Sequence, residues 1–111
     1  MKISKIIFVI LLIILSSCSK HKISITAHRG SSGEAPENTM SAYLLAIEMG
    51  SHFAELDVQE TTDDVLILYH DKTYNRTAGV SANVWDLSYE SIKEFDVGSW
   101  KNEAYRGEPI P

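Results

Sequence analysis

The chain contains one cysteine, Cys18. A lone thiol forms no internal disulfide, so cross-linking plays no part in holding the fold together and Cys18 needs another explanation. Basic runs are also missing. Ten Lys and Arg are scattered against 15 Asp and Glu, for a net charge of −5. A phosphate backbone is bound through clustered Lys and Arg, so nucleic acid is excluded as the expected partner. There is no internal repeat, no low-complexity segment and no Pro-rich linker, and 111 residues allow at most one small domain. Nor is there an apolar run long enough to cross a bilayer as a helix, which takes roughly 20 residues.

The longest apolar run, Ile6 to Leu15, follows Lys2 and Lys5 and precedes Ser16, Ser17 and Cys18. That order is expected of a signal peptide, with an uncleaved anchor as the alternative. Leu15-Ser16-Ser17-Cys18 resembles the lipobox of bacterial lipoproteins, whose cysteine is lipidated and becomes the new N-terminus. The expected organisation is a signal peptide over 1–17, a lipidated tether over 18–22 and a domain over 23–111. Lipid on Cys18 would hold the protein to the membrane at the cell envelope, and His21 reads as a solvated tether residue. Removing Lys2 and Lys5 leaves 10 − 2 = 8 basic residues against 15 acidic ones, a net of −7. Such an acidic body suits a cation site.

Patterned sequence begins at Ile23. Ile23, Ile25 and Ala27 alternate with Ser24, Thr26 and His28, which predicts a strand delivering His28 and Arg29 at its C-terminal end. Gly30 and Gly33 bracket a loop, without the G-x-G-x-x-G spacing of a dinucleotide site. Met40, Tyr43, Leu44 and Ile47 then fall at i, i+3, i+4 and i+7 of a helix, with Asn38 or Thr39 as N-cap, Pro36 upstream and Gly50 past the end. The spacing assigns Met40 and Tyr43 to the core. Glu37 has two readings, a favourable charge at the helix N-terminus or a ligand.

In "HFAELDVQ", alternation places Glu55 and Asp57 on one face of a strand, with Ala54, Leu56 and Val58 on the other. Two neighbouring carboxylates either face water or, if covered, require a cation, because burying an unpaired carboxylate costs several kcal/mol, on the order given by ion desolvation. "VLILYHD" runs Val65 to Tyr69 as a nearly continuous apolar segment, the pattern of a parallel strand covered on both faces, and ends on His70 and Asp71. Asp63-Asp64 supplies the turn before it. Histidines and carboxylates at the C-terminal ends of neighbouring strands lie where α/β sheets and barrels place their active sites.

"HRG" at 28–30, "PENT" at 36–39, "ELDV" at 55–58 and "HD" at 70–71 resemble, in order and spacing, the glycerophosphodiester phosphodiesterases. "NRTAG", "DVGSW" and "GEPIP" are similar to later segments of that family, and the resemblance covers Ile25 to Pro111. It implies an α/β fold, the N-terminal portion of a (β/α)8 TIM barrel with its site at the C-terminal mouth. It further implies Glu55 and Asp57 as ligands of a divalent cation, Ca²⁺ or Mg²⁺, His28 and His70 as general acid and base, and Arg29 as the phosphate contact. The substrate implied is a small glycerophosphodiester. One histidine deprotonates the glycerol hydroxyl beside the phosphoester and the other protonates the departing alcohol; water then opens the cyclic phosphate with the roles reversed. A barrel of this kind runs to about 250 residues, so the chain is expected to be an N-terminal fragment, with the family's third acidic ligand and a nearby lysine beyond Pro111. Asp64 stands where the family usually has glycine.

Trp85 and Trp100 are expected to be packing residues, the substrate mouth being their other possible place. Leu87, Ile92 and Phe95 predict a short helix capped by Asp86 or Ser88, with Glu90, Lys93 and Glu94 on its solvated face. Alternative functions are a lysophospholipase D-like hydrolase sharing the same site and a lipid-anchored protein without catalysis.

Overall fold

The computed structural model describes residues 23–111, so the segment 1–17, Cys18 and His21 lie outside the described residues. Chain order runs β1 (Thr26–Ala27), α1 (Met40–Glu48), β2 (Phe53–Ala54), β3 (Val58–Glu60), β4 (Leu66–Leu68), α2 (Asn75–Ala78), a 3-10 turn at Val84–Asp86, α3 (Tyr89–Ile92) and a second 3-10 turn at Glu103–Tyr105. β1 and β2 pair in parallel, Thr26 opposite Phe53 and Ala27 opposite Ala54, with α1 as the crossover. This is the β–α–β step of an α/β fold. The first strand is shorter than the alternation predicts, and Ile23 and Ile25 stand exposed.

β3 and β4 form an antiparallel hairpin, with Val58 opposite Leu68 and Glu60 opposite Leu66. The expectation of a parallel strand over 65–69 is therefore corrected. A parallel return needs a crossover of a dozen or more residues, and only 61–65 separate the two strands. Asp64 sits at φ 61°, in the left-handed region, which accounts for glycine being usual there and for aspartate being tolerated. The predicted continuous strand through "HFAELDVQ" is also interrupted, since Glu55, Leu56 and Asp57 fall between β2 and β3.

Thr39 is the N-cap of α1: its hydroxyl oxygen accepts from the Ala42 N–H at 3.3 Å and its O–H donates to Pro36 O at 2.6 Å. Gly50, at φ 79°, ends the helix in the left-handed turn that its position predicts. The buried face consists of Ala42 and Ala46. Met40, Leu44 and Ile47 are 53%, 61% and 72% exposed, so the assignment of Met40 to the core is corrected, and Tyr43 is only half-buried. Small side chains face inward because the loop after β1 packs directly on the helix: Ser31 N–H donates to Ala42 O at 2.9 Å. A Cβ added to Gly30 would lie 2.7 Å from Ala42 Cβ.

The core gathers Ile67, Tyr69, Tyr74, Val84, Ile92, Val97 and Ile110, so it joins the hairpin to the segment that follows. Tyr74 packs against Tyr69 and edge-on against Phe95, with ring centroids 4.9 and 5.3 Å apart. Ser88 takes the N-cap position of α3 and Ile92 is fully buried, as predicted. Lys93 pairs with Glu90 at 2.6 Å on the exposed face. Trp85 and Trp100 are not core residues. Val84 takes the inward place beside Trp85, and Trp100 is held at the surface by its indole N–H, which donates to Val97 O at 2.8 Å.

The C-terminal segment straps the loop after β1. Glu108 accepts from Ser41 N–H at 3.1 Å and from the Ser41 hydroxyl at 2.7 Å, while Lys101 Nζ donates to Ser32 O at 2.8 Å. No helix among the described residues is long and apolar enough to cross a membrane. Met40, Leu44, Ile47, Met49 and Phe53 together leave a large apolar surface exposed. A polypeptide of residues 23–111 alone is therefore expected to self-associate. Sedimentation would check this, and a monomer with a cooperative thermal melt would contradict it.

Candidate active site

Arg29 and Gly30 take consecutive left-handed conformations, φ 54° and 75°, which turn the chain sharply at the end of β1. The turn aims the Arg29 side chain back across the site. Its backbone N–H donates to Glu55 Oε2 at 3.0 Å and its Nη1 to Glu37 Oε1 at 3.1 Å. Its Nε lies 3.1 Å from Asp57 Oδ2 but off the hydrogen-bond direction, leaving a buried N–H without an acceptor. Glu55 and Asp57 thus converge on one arginine, although neither lies in a strand.

Asn38, weighed above only as a cap, instead braces Asp57. Its Nδ2 donates to Asp57 Oδ2 at 2.9 Å, and its Oδ1 accepts from the Asp57 N–H at 3.2 Å and the Tyr43 hydroxyl at 2.9 Å. Burial, with the charges of Glu55 and Asp57 adding to it, pushes the Tyr43 hydroxyl up to about 12, so it remains a donor.

On the other side, His70 Nδ1 is 2.8 Å from Asp71 Oδ1. Asp71 accepts from Arg76 Nε at 2.7 Å and Nη2 at 3.1 Å. Those bonds, led by Arg76 and joined by His70, hold its carboxyl down at about 2 against the opposing effect of burial. An ionised carboxylate only accepts, so in neutral His70 the Nδ1 carries the proton and the Nε2 lone pair is left free; this tautomer is assigned from the network. Arg76 also donates to Glu37, Nη2 to Oε1 at 2.6 Å and Nη1 to Oε2 at 3.2 Å. Burial raises Glu37, but hydrogen bonds and charge from Arg76, with Arg29 adding to them, more than offset it and lower its carboxyl. The guanidinium of Arg76 lies 5.1 Å from the Trp100 ring centroid, which brings Trp100 to the edge of the site.

His28 is largely exposed, with Nε2 4.0 Å from Glu55 Oε2. The structure therefore brings His28, Arg29, Glu55 and Asp57 into contact, and links His70 to them through Asp71, Arg76 and Glu37. The sequence gives Arg76 no role, and its signal is faint: one arginine on a helix of four residues has no periodicity to betray it. Glu37 is more than a helix-terminal charge, because the guanidiniums of Arg29 and Arg76 share it.

Ligand atoms of Glu37, His70 and Asp71 all lie within 4.8 Å of one another, a group able to hold a cation. Arg76 already occupies both of its carboxylates. Glu55 Oε1 and Asp57 Oδ1 accept no hydrogen bond among the described residues. Four carboxylates, Glu37, Glu55, Asp57 and Asp71, face two guanidiniums, Arg29 and Arg76, so 4 − 2 = 2 negative charges remain, which fits a divalent cation on oxygen ligands.

Residues 28–111 match the Glycerophosphoryl diester phosphodiesterase family. The chain belongs to this family. A glycerophosphodiester phosphodiesterase of Caldanaerobacter subterraneus is 43% identical over 81% of the chain and 37% of that protein. One from Bacillus subtilis is 45% identical over 78% of the chain and 30% of the relative. The chain thus spans about a third of the length of these curated relatives. The crystal structure of glycerophosphodiester phosphodiesterase from Agrobacterium tumefaciens superposes with TM-score 0.78 at 37% identity, covering 81% of this chain and 39% of that one. An Oleispira antarctica phosphodiesterase, solved in complex with the product sn-glycerol-3-phosphate, superposes with TM-score 0.77 at 37% identity over 80% of this chain and 36% of that one. The described fold corresponds to the N-terminal portion of the family's (β/α)8 barrel.

Proposed function

We propose that the protein to which these residues belong hydrolyses glycerophosphodiesters to sn-glycerol 3-phosphate and an alcohol. The observation that carries this reading is the convergence of Glu55 and Asp57 on Arg29 beside His28, with His70 fixed by Asp71 nearby. Arg29 offers its planar guanidinium fork to a phosphate oxygen. His70 has an Nε2 lone pair to accept a proton, and His28 is the second proton-transfer group. In the first half-reaction one imidazole takes the proton of the substrate hydroxyl as its oxygen attacks phosphorus, and the other gives a proton to the departing alcohol. In the second, water attacks the cyclic phosphate and the two roles exchange.

Glu55 and Asp57 would hold a divalent cation, Ca²⁺ or Mg²⁺, which supplies charge stabilisation to the phosphoryl oxygens. In the full-length protein, Glu55→Gln and Asp57→Asn each remove a negative ligand while keeping shape. Each should raise the metal concentration for half-maximal rate by at least about tenfold, and calorimetric metal binding should weaken in parallel. The assay is release of sn-glycerol 3-phosphate from glycerophosphocholine with metal titrated. A chelator that left the parent protein fully active would overturn the reading.

The same proposal places the protein at the cell envelope, anchored through acyl chains on Cys18. Its support is the order of Lys2, Lys5, the apolar run and Leu15-Ser16-Ser17-Cys18. Cys18→Ser should abolish labelling by a lipid precursor and release the protein from membranes; unchanged labelling would count against the anchor.

A further inference from the structure

Every contact of Arg76 in the site leads to a residue already given a role. Its fork uses Nε, Nη1 and Nη2 on two carboxylates that sit on different elements, Asp71 just after β4 and Glu37 in the loop before α1. The other side-chain partner of Asp71 is His70, and the other partner of Glu37 is Arg29. An ordinary surface ion pair is worth about 0–1 kcal/mol and could be lost without consequence. This one differs in three respects. Glu37 and Asp71 are partly buried, at 15% and 25% side-chain exposure, although Arg76 itself is 41% exposed. The geometry is bidentate toward both. The Trp100 ring, itself tethered to Val97 O, packs on the guanidinium and restricts its movement.

We infer that Arg76 is a positioning residue that couples the two halves of the site, fixing the proton-transfer imidazole of His70 relative to the phosphate-binding guanidinium of Arg29. The inference rests on the function proposed above. Without Arg76, nothing grips both oxygens of Asp71 to hold it against His70, and no side-chain pair among the described residues joins Asp71–His70 to Glu37–Arg29. The halves are then related only through the β3–β4 hairpin, where Tyr69 N–H donates to Asp57 O at 3.0 Å, and through Gln59 Nε2 on Asp71 O. Lysine would not substitute, because a point charge with a tetrahedral head cannot present parallel N–H pairs to two carboxylates at once. A misplacement of about 1 Å is enough to cost on the order of a hundredfold in rate.

The test uses Arg76→Lys and Arg76→Ala in the full-length protein. Arg76→Lys should lower kcat by about 10–100-fold with a smaller change in KM, since Arg29 still meets the phosphate. Arg76→Ala should recover at least tenfold in kcat, on the order of its loss, on addition of millimolar methylguanidinium, which a purely structural role would not allow. Independently of activity, the ¹⁵N shifts of the His70 ring should report a fixed Nδ1–H tautomer in the parent and a mixed population in Arg76→Lys. If the parent proves inactive, the proposed function fails and the ring shifts alone decide the role of Arg76. Unchanged ring shifts in Arg76→Lys, parental kcat in that variant, or a loss that methylguanidinium does not restore would each overturn the inference.

Discussion

Replacing His28 or His70 with alanine is expected to lower kcat of the full-length protein by about 10²–10⁴-fold, the usual worth of a positioned proton-transfer group. Added metal should not restore the rate, because neither imidazole is needed to assemble the carboxylates on Arg29. This separates the histidines from Glu55 and Asp57, whose variants should respond to metal. The two histidines should also differ from each other. His70 is held by Asp71, so Asp71→Asn should reproduce part of the His70→Ala defect by unsettling the tautomer. His28 has only the 4.0 Å approach of Glu55, and no such partner variant exists for it. Kinetics for the three variants with metal titrated would check this, and near-parental turnover in either alanine variant would remove that histidine from the mechanism.

Gly30→Ala is expected to be among the most damaging substitutions that touch no charge. The residue sits at φ 75°, and its new Cβ would lie 2.7 Å from both the carbonyl carbon and Cβ of Ala42. Left-handed backbone costs a non-glycine residue roughly 1–2 kcal/mol, and overpacking against a helix adds about 1–3 kcal/mol. The combined loss of roughly 2–5 kcal/mol follows from those two terms. Activity should fall as well, because Gly30 follows Arg29 and any retreat of the loop from α1 carries the guanidinium with it. Gly33→Ala is the control, since an added Cβ there meets nothing within 4 Å. Denaturant midpoints of the two variants should differ clearly; equal midpoints would mean that the loop does not rest on α1 as described.

Much of the site is legible in sequence because its chemistry is local. "HRG", "ELDV" and "HD" each place a charged or titratable group at a strand end, and Gly50 and Ser88 mark helix ends where the structure has them. Which way α1 faces is not legible from its large apolar residues. Met40, Leu44 and Ile47 form the obvious stripe, yet Ala42 and Ala46 are buried, because close approach of a loop selects small side chains that a hydropathy pattern underweights. The direction of β4 was recoverable: residues 61–65 are too few to bring a strand back parallel. Within the apolar run Val65 to Tyr69 only Val65, Ile67 and Tyr69 meet the later core, while Leu66 is 67% exposed, so the expected cover on both faces is corrected to one. The Arg76 bridge had no local signature, since its partner Glu37 lies 39 residues away.

The clasp between Glu108 and Ser41 bears on how the protein is made. The two residues are 67 positions apart. At ribosomal speeds of about 5–20 residues per second, roughly 3–13 s separate the emergence of the N-terminal turn of α1 from that of the carboxylate that caps it. Over that interval the loop bearing His28 and Arg29 has been synthesised without its strap, and Lys101, which anchors Ser32, is missing for nearly as long. The nascent chain therefore presents the His28–Arg29 loop unsecured, with the apolar side of α1 beside it, which makes this stretch of translation a period when a chaperone or a protease has access to it.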